Sequence, residues 1–235
     1  MNLLLLSNST LPGEGLLEWA EPCIREFTAN IKGRVAFIPY AAVTVSYEEY
    51  YIRVRDRFRE WGIEVESVHH FKSPAGLIEK SEFIITGGGN TFHLLHELQE
   101  HKLLQLIRER VLHTASYLGW SAGANLACPG IMTTNDMPII ETQGLEALNL
   151  LPFQLNPHFT EKRIEGHGGE SREDRIKEFL EIHKEKKVIG LREGSGLLLQ
   201  DGKLTLKGKS TALIFERAKE AIEVKSSSDL TYLLV

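Results

Sequence analysis

Residues 115–127 read Ala115-Ser116-Tyr117-Leu118-Gly119-Trp120-Ser121-Ala122-Gly123-Ala124-Asn125-Leu126-Ala127. A short apolar run ends at Gly119, a helix-compatible stretch starts at Ala124, and the turn between them is Gly-x-Ser-x-Gly. In such a strand-to-helix turn the chain reverses so sharply that its flanks must be small, and the serine hydroxyl is left exposed at the edge of a sheet. Backbone N–H groups that open the following helix lack an intrahelical acceptor, so they face the place where a negatively charged oxygen would form. Ser121 is thus the candidate nucleophile and Ala122 a candidate oxyanion donor.

Outward from this turn, short runs of Val, Ile, Leu and Phe alternate with longer amphipathic stretches. The runs are 3–6, 35–39, 63–68, 83–86, 115–119, 153–156 and 188–192. Between them, 46–61, 91–112 and 172–183 carry apolar residues at helical spacing. This alternation predicts a three-layer α/β fold, a mostly parallel sheet with helices on both faces. After Arg192 the pattern shortens, with Gln200-Asp201-Gly202-Lys203 between two Leu-rich segments. That is a hairpin signal and predicts an antiparallel C-terminal β extension. Neither a Pro- or Ser-rich linker nor a repeat interrupts the chain, so the expectation is one domain over residues 1–235.

Composition narrows the function classes. The chain has 235 residues, 42% hydrophobic and 25% charged, an ordinary globular balance. Its 27 Lys+Arg against 32 Asp+Glu give a net charge of −5, with the basic residues scattered. This argues against nucleic acid as the main partner. No apolar run approaches the roughly 18 residues that span a bilayer, so the expectation is a cytoplasmic protein without a membrane partner. Cys23 and Cys128 lie far apart in no metal-binding spacing and read as two reduced thiols.

A second glycine turn, Gly87-Gly88-Gly89-Asn90-Thr91, follows the run at 83–86 and precedes a helix that Asn90 or Thr91 would cap. Its spacing fits neither a P-loop nor G-x-G-x-x-G. The Gly88 N–H is the candidate second oxyanion donor, because glycine lets the backbone approach a ligand closely.

A serine nucleophile needs a base. Of nine histidines, His158 in Asn156-Pro157-His158-Phe159 ends a candidate strand, so its ring would project over the same sheet edge as Ser121. His69-His70 read as the end of a strand. His93, His96 and His101 share one helix without a HExxH spacing and read as a helix face, not a zinc site. Two acids compete to orient the base: Glu193 follows the strand at 188–192, and Asp136 lies in the polar loop Thr133-Thr134-Asn135-Asp136-Met137-Pro138. Convergence of strand ends favours Glu193, whereas Asp136 would give the Ser-Asp-His order of α/β-hydrolases.

Taken together, GGGNT, GWSAGAN, NPHF and the late Glu193 resemble the peptidase E, or α-aspartyl dipeptidase, family. The resemblance runs from the Leu-rich first strand through residues 166–176. It implies a scaffold similar to class I glutamine amidotransferases and a serine peptidase that cleaves dipeptides with a free N-terminal aspartate. A related cyanophycinase branch acts on β-linked aspartyl-arginine units. By this resemblance Ser121 is the nucleophile, His158 the base, and Gly88 with Ala122 the oxyanion donors, while Asp136 and Glu193 both match acidic positions of the family. Aspartate recognition calls for a cation, since a buried carboxylate is disfavoured without one. Arg172 is nominated for that role, and Asn90 is expected on the substrate as well. The glycines at 166, 168 and 169 are expected to form a lid.

The implied partner is a small peptide of the form Asp-Xaa, with the chain a monomer or homodimer, and neither a cofactor nor a metal is implied. The rival readings are an α/β-hydrolase esterase using Ser121, Asp136 and His158, a cyanophycinase-like β-aspartyl peptidase, and a small-molecule binding domain without catalysis. Glutamine amidotransfer is disfavoured because neither cysteine occupies the nucleophile turn.

Overall fold

The computed structural model describes residues 1–162 and 168–235. In chain order the strands are β1 (Asn2–Leu6), β2 (Arg34–Ile38), β3 (Glu66–Ser67), β4 (Ser81–Thr86), β5 (Ser116–Trp120), β6 (Gln154–Phe159), β7 (Lys187–Arg192), β8 (Ser195–Gln200), β9 (Lys203–Gly208), β10 (Ala212–Glu216) and β11 (Ile222–Val224). The helices are α1 (Glu21–Thr28), α2 (Tyr47–Arg59), α3 (Pro74–Lys80), α4 (Thr91–Glu100), α5 (Leu104–His113), α6 (Ala122–Asn125) and α7 (Arg172–Ile182).

Seven strands form a central sheet in the order β3-β2-β4-β5-β1-β8-β9. The first five are parallel, and the β8–β9 hairpin adds to β1 antiparallel. Alternation along β1 sends Leu3 and Leu5 to one face and Leu4 and Leu6 to the other, because side chains alternate across a strand. The Leu4/Leu6 face packs against Ile24 and Phe27 of α1 and Val54 and Phe58 of α2. The Leu3/Leu5 face packs against α3, α4 and α5 through Ile78, Leu94 and Ile107. This is the expected mostly parallel sheet with helices on both faces.

The structure departs from the expected layout in a second sheet, of order β11-β10-β7-β6. Strands β6 and β7 pair parallel with each other, but they do not join the central sheet. The free edge of β1 is already taken by the hairpin, with Leu3 opposite Leu199 and Leu6 opposite Gly196. The second sheet instead lies against the Leu3/Leu5 face, where Leu155, Ile189 and Leu191 join the same core. Helix α7 covers its outer side through Ile176 and Leu180, packed with Phe159 and Phe215.

Smaller departures also have physical causes. The helix read over 91–112 is two helices, broken where Lys102 takes φ 55°. There Leu103 N–H donates to Leu98 C=O and Lys102 N–H to Gln99 C=O, a left-handed helix stop that usually carries glycine. Burial of both Leu98 and Leu103 holds it without one. The run at 63–68 contributes only the two-residue edge strand β3, and short edges resist pairing with other chains. The hairpin turn is as read, with Asp201 at φ 52° and Gly202 at φ 76°. Among the described residues no helix is long and apolar enough to cross a membrane. Both cysteines are free, and burial raises the Cys128 thiol to about 12.

Candidate active site

Strands β1, β4 and β5 all end at one edge of the central sheet, and the two glycine turns follow β4 and β5 there. Ser121 sits between β5 and α6 at φ 53° and ψ −115°, a conformation that L residues adopt only when neighbours enforce it. The enforcement is visible in the glycines. A Cβ on Gly119 would meet Gly123 C=O at 2.3 Å, and one on Gly123 would meet Thr86 C=O at 2.2 Å. The elbow thus closes directly onto β4, as the small-residue pattern requires.

The ring of His158 reaches Ser121 from the second sheet. Its Nε2 lies 3.0 Å from Ser121 Oγ, and its Nδ1 lies 2.8 Å from Glu193 Oε1. With Nδ1–H donating to the carboxylate, the Nε2 lone pair accepts the serine proton. His158 takes φ 54°, inside a bulge where Asn156 pairs with Gly190 and Phe159 with Arg192. Two residues, Pro157 and His158, therefore oppose Leu191 alone, and the extra residue turns the imidazole out of the strand.

Ser7 and Asn8, which follow β1, hold this arrangement and were not singled out from the sequence. Ser7 Oγ accepts the His158 N–H at 2.8 Å and donates to Leu191 C=O at 2.8 Å, replacing the ladder bond that the bulge breaks. Asn8 Oδ1 accepts the Gly194 N–H at 2.8 Å, next to Glu193. Both side chains are buried. Their sequence signal is only a polar Ser-Asn pair ending a fully apolar strand, which marks buried groups in need of partners.

The two candidate acids part company in space. Glu193 bonds the imidazole, whereas Asp136 accepts from Thr91 N–H at 2.8 Å and Thr91 Oγ1 at 2.5 Å, at the start of α4. A carboxylate is favoured there by the helix dipole. The loop carrying Asp136 is tied to the base strand: Asn135 Nδ2 donates to Pro157 C=O at 2.7 Å and Asn156 Nδ2 to Thr133 C=O at 2.8 Å. Asp136 also borders a cavity of about 20 Å³ with Ser121, Ala122 and His158.

Gly88 lies against the nucleophile, since a Cβ there would come within 2.9 Å of Ser121 Cβ. Its N–H faces the Tyr50 hydroxyl, which accepts from Trp120 Nε1 at 3.0 Å. Burial pushes the Tyr50 hydroxyl above its ordinary range against these two donors. Tyr50 is a further residue that helical spacing on α2 could not mark as part of the site. Asn90 caps α4, with Oδ1 accepting the His93 N–H at 3.0 Å and Nδ2 donating to Met137 C=O at 2.9 Å. Its side chain is thereby committed to the scaffold, although it lines the cleft.

That cleft has a volume of about 680 Å³ and runs past Ser121 and His158 along Ala41–Val45, Tyr50, Arg53, Gly88 and Gly89. Arg172 opens α7, in the electrostatic field of Glu193 and Asp136. Burial draws its guanidinium below the usual arginine range, and its buried Nη1 has no hydrogen-bond partner among the described residues. A cation in the first turn of a helix is also opposed by the dipole. Of the expected lid, Gly166 lies outside the described residues, while Gly168 and Gly169 are exposed.

Comparison with known proteins gives the family. The family model described as peptidase family S51 matches residues 3–207. Peptidase E of Salmonella paratyphi A is 48% identical over 226 residues, covering 96% of this chain and 98% of that one. Peptidase E of Salmonella newport is 47% identical with the same coverage. Among solved structures, a protein of Listeria monocytogenes EGD-e superposes with TM-score 0.67 at 25% identity, covering 89% of this chain and 98% of that one. A peptidase from an acI-B1 Actinobacterium superposes with TM-score 0.71 at 20% identity over 97% of this chain and 96% of its own, a likeness of fold. On its sequence over nearly its whole length, and on its fold, the chain belongs to peptidase family S51.

Proposed function

We propose that this peptidase is a serine dipeptidase that releases N-terminal aspartate from small peptides. The observation that carries the reading is the relay from Ser121 Oγ through His158 to Glu193, with contacts of 3.0 and 2.8 Å. His158 Nε2 takes the serine proton as Oγ attacks the scissile carbonyl, and the imidazolium is stabilised by Glu193. The oxyanion is met by the N–H of Ala122 at the start of α6 and by the N–H of Gly88, which lies against Ser121. His158 then protonates the leaving amine. Water, deprotonated by the same imidazole, hydrolyses the acyl-enzyme.

Specificity rests on charge. Arg172 presents a partly desolvated guanidinium whose buried Nη1 has no hydrogen-bond partner among the described residues, which suits a carboxylate by bidentate geometry. Asp136, in the cavity beside Ser121, supplies the negative charge for the free α-ammonium group. The large cleft on the other flank takes the leaving residue, and Arg53 on its wall is a cation for the free carboxylate of a dipeptide.

Hydrolysis of Asp-Leu, Glu-Leu, Ala-Leu and N-acetyl-Asp-Leu by the wild type and Ser121→Ala, in chelator, tests the reading. Cleavage confined to Asp-Leu and abolished in the variant is the expected result. Cleavage of esters in preference to all four, or full activity of Ser121→Ala, overturns it. Arg172→Met is expected to lose at least about a hundredfold in kcat/KM on Asp-Leu, as an unpaired buried carboxylate would.

A further inference from the structure

Outside the active site, Glu48 at the start of α2 and the His69-His70 pair, in the turn after β3, direct three ligand atoms at one point. His69 Nε2 lies 3.1 Å and His70 Nε2 2.6 Å from the same oxygen, Glu48 Oε2, and all three atoms lie within 4.8 Å of one another. From these residues we infer a binding site for a divalent transition-metal ion of the zinc class, separate from the catalytic apparatus. Nothing in the sequence spacing announces it, because the carboxylate arrives from an element about twenty residues earlier.

The chemistry of the donor set is that of zinc: two imidazole nitrogens and one carboxylate, with a fourth position left to water. Ligand atoms about 2.0–2.1 Å from a tetrahedral ion stand roughly 3.3 Å apart, and the exposed Glu48 side chain can open from its 3.1 and 2.6 Å contacts to that spacing. Each imidazole is already oriented. The buried Ser67 hydroxyl is directed at Phe37 C=O, and its oxygen lies 2.6 Å from His69 Nδ1. With Nδ1–H donating to Ser67, the His69 Nε2 lone pair faces a carboxylate oxygen, and a cation between the two resolves that contact. Such an outer hydrogen bond is the usual support of a metal-binding histidine. The His70 ring stands edge-on to Tyr51 at 4.8 Å, and Tyr51 is anchored to Val65 C=O at 3.1 Å. Glu48 and His70 are both exposed, which gives the ion an entry path.

The ion would tie the N-terminus of α2 to the exit of the edge strand. Residues 41–45, which wall the substrate cleft, lead directly into that helix start, so the tie braces one side of the cleft. It is structural, and hydrolysis in chelator continues without it.

The test is a titration of tag-free, chelator-stripped full-length protein with Zn²⁺ and with Co²⁺, for the wild type, Glu48→Gln and His70→Asn. One ion per chain is expected, with affinity at least about tenfold weaker in each variant and visible Co²⁺ absorption of low-coordinate type lost in both. The thermal midpoint of the wild type is expected to rise by about 5 °C at a hundredfold excess over Kd, and those of the variants much less. Hydrolysis by the metal-free variants should equal that of the metal-free wild type. Zn²⁺ binding unchanged in the variants, or none up to about 1 mM, overturns the inference.

Discussion

Ser121 and His158 both take a positive φ, 53° and 54°, yet they are held there by different means. The elbow around Ser121 is a local construction: Gly119 and Gly123 let the turn close against β4 and against itself within a few residues. The bulge at His158 is held from far away, by the Ser7 hydroxyl 151 residues earlier and by the 133–136 loop, whose Asn135 bonds Pro157. Ser121 therefore belongs to the central sheet and His158 to the second sheet, with Glu193 in the turn that joins β7 of the second sheet to β8 of the central one. The difference teaches that the site is a junction between two sheets, with buried hydrogen bonds of β1's polar end setting its spacing.

Substitutions at Glu193, Gly123 and Ser7 probe that contrast, from the largest effect to the smallest, with one at Asp136 set beside the first. Glu193→Gln removes the charge that orients the base, and kcat should fall on the order of 10⁴ with thermal stability nearly unchanged. Asp136→Asn beside it should act mainly on KM for the free-amine substrate, with kcat within about tenfold. A reversed pattern in steady-state kinetics would return Asp136 to the relay and break the two-sheet account.

Gly123→Ala forces a Cβ into Thr86 C=O at 2.2 Å. Overpacking of this kind costs about 1–3 kcal/mol, a drop of several degrees in thermal midpoint, and displacement of Ser121 should lower kcat about a hundredfold. Wild-type kcat in this variant would show that the elbow tolerates more than its geometry implies. Ser7→Ala leaves the His158 N–H and Leu191 C=O without their partner, which costs about 1–3 kcal/mol and about tenfold in kcat. Ser7→Thr, which keeps the hydroxyl, should recover kcat more than it recovers stability, because the added methyl enters a packed core. If Ser7→Ala unfolds readily but turns over normally, the hydroxyl supports the fold and does not position the base.

Much of this was legible beforehand. The parallel core strands, the elbow, the glycine turn after β4 and the Asp201-Gly202 hairpin all announce themselves through contiguous residues, since each is specified by sterics within a few positions. The preference for Glu193 over Asp136 followed only from where strands end, and in the structure Glu193 Oε1 lies 2.8 Å from His158 Nδ1. The second sheet was not legible, because β6 and β7 have the same apolar runs as central strands. What excluded them was competition: the β8–β9 hairpin, close in sequence, already filled the edge of β1. The stop of α4 at Lys102 escaped for a similar reason, since buried leucines stand in for the glycine that would have marked it.

From the sequence alone came the layered α/β class, the serine of the elbow, the histidine after Asn156-Pro157 and a resemblance that named the family, because local sterics and short motifs are properties of neighbouring residues. Only the tertiary structure decided which acid meets the imidazole, that Asn90 is spent on capping, that Tyr50 bonds Trp120 behind the glycine turn, and that Ser7 and Asn8 join the two sheets. Those are contacts between residues far apart in the chain, and their partners are chosen by which buried polar groups the packing of the core leaves opposite one another.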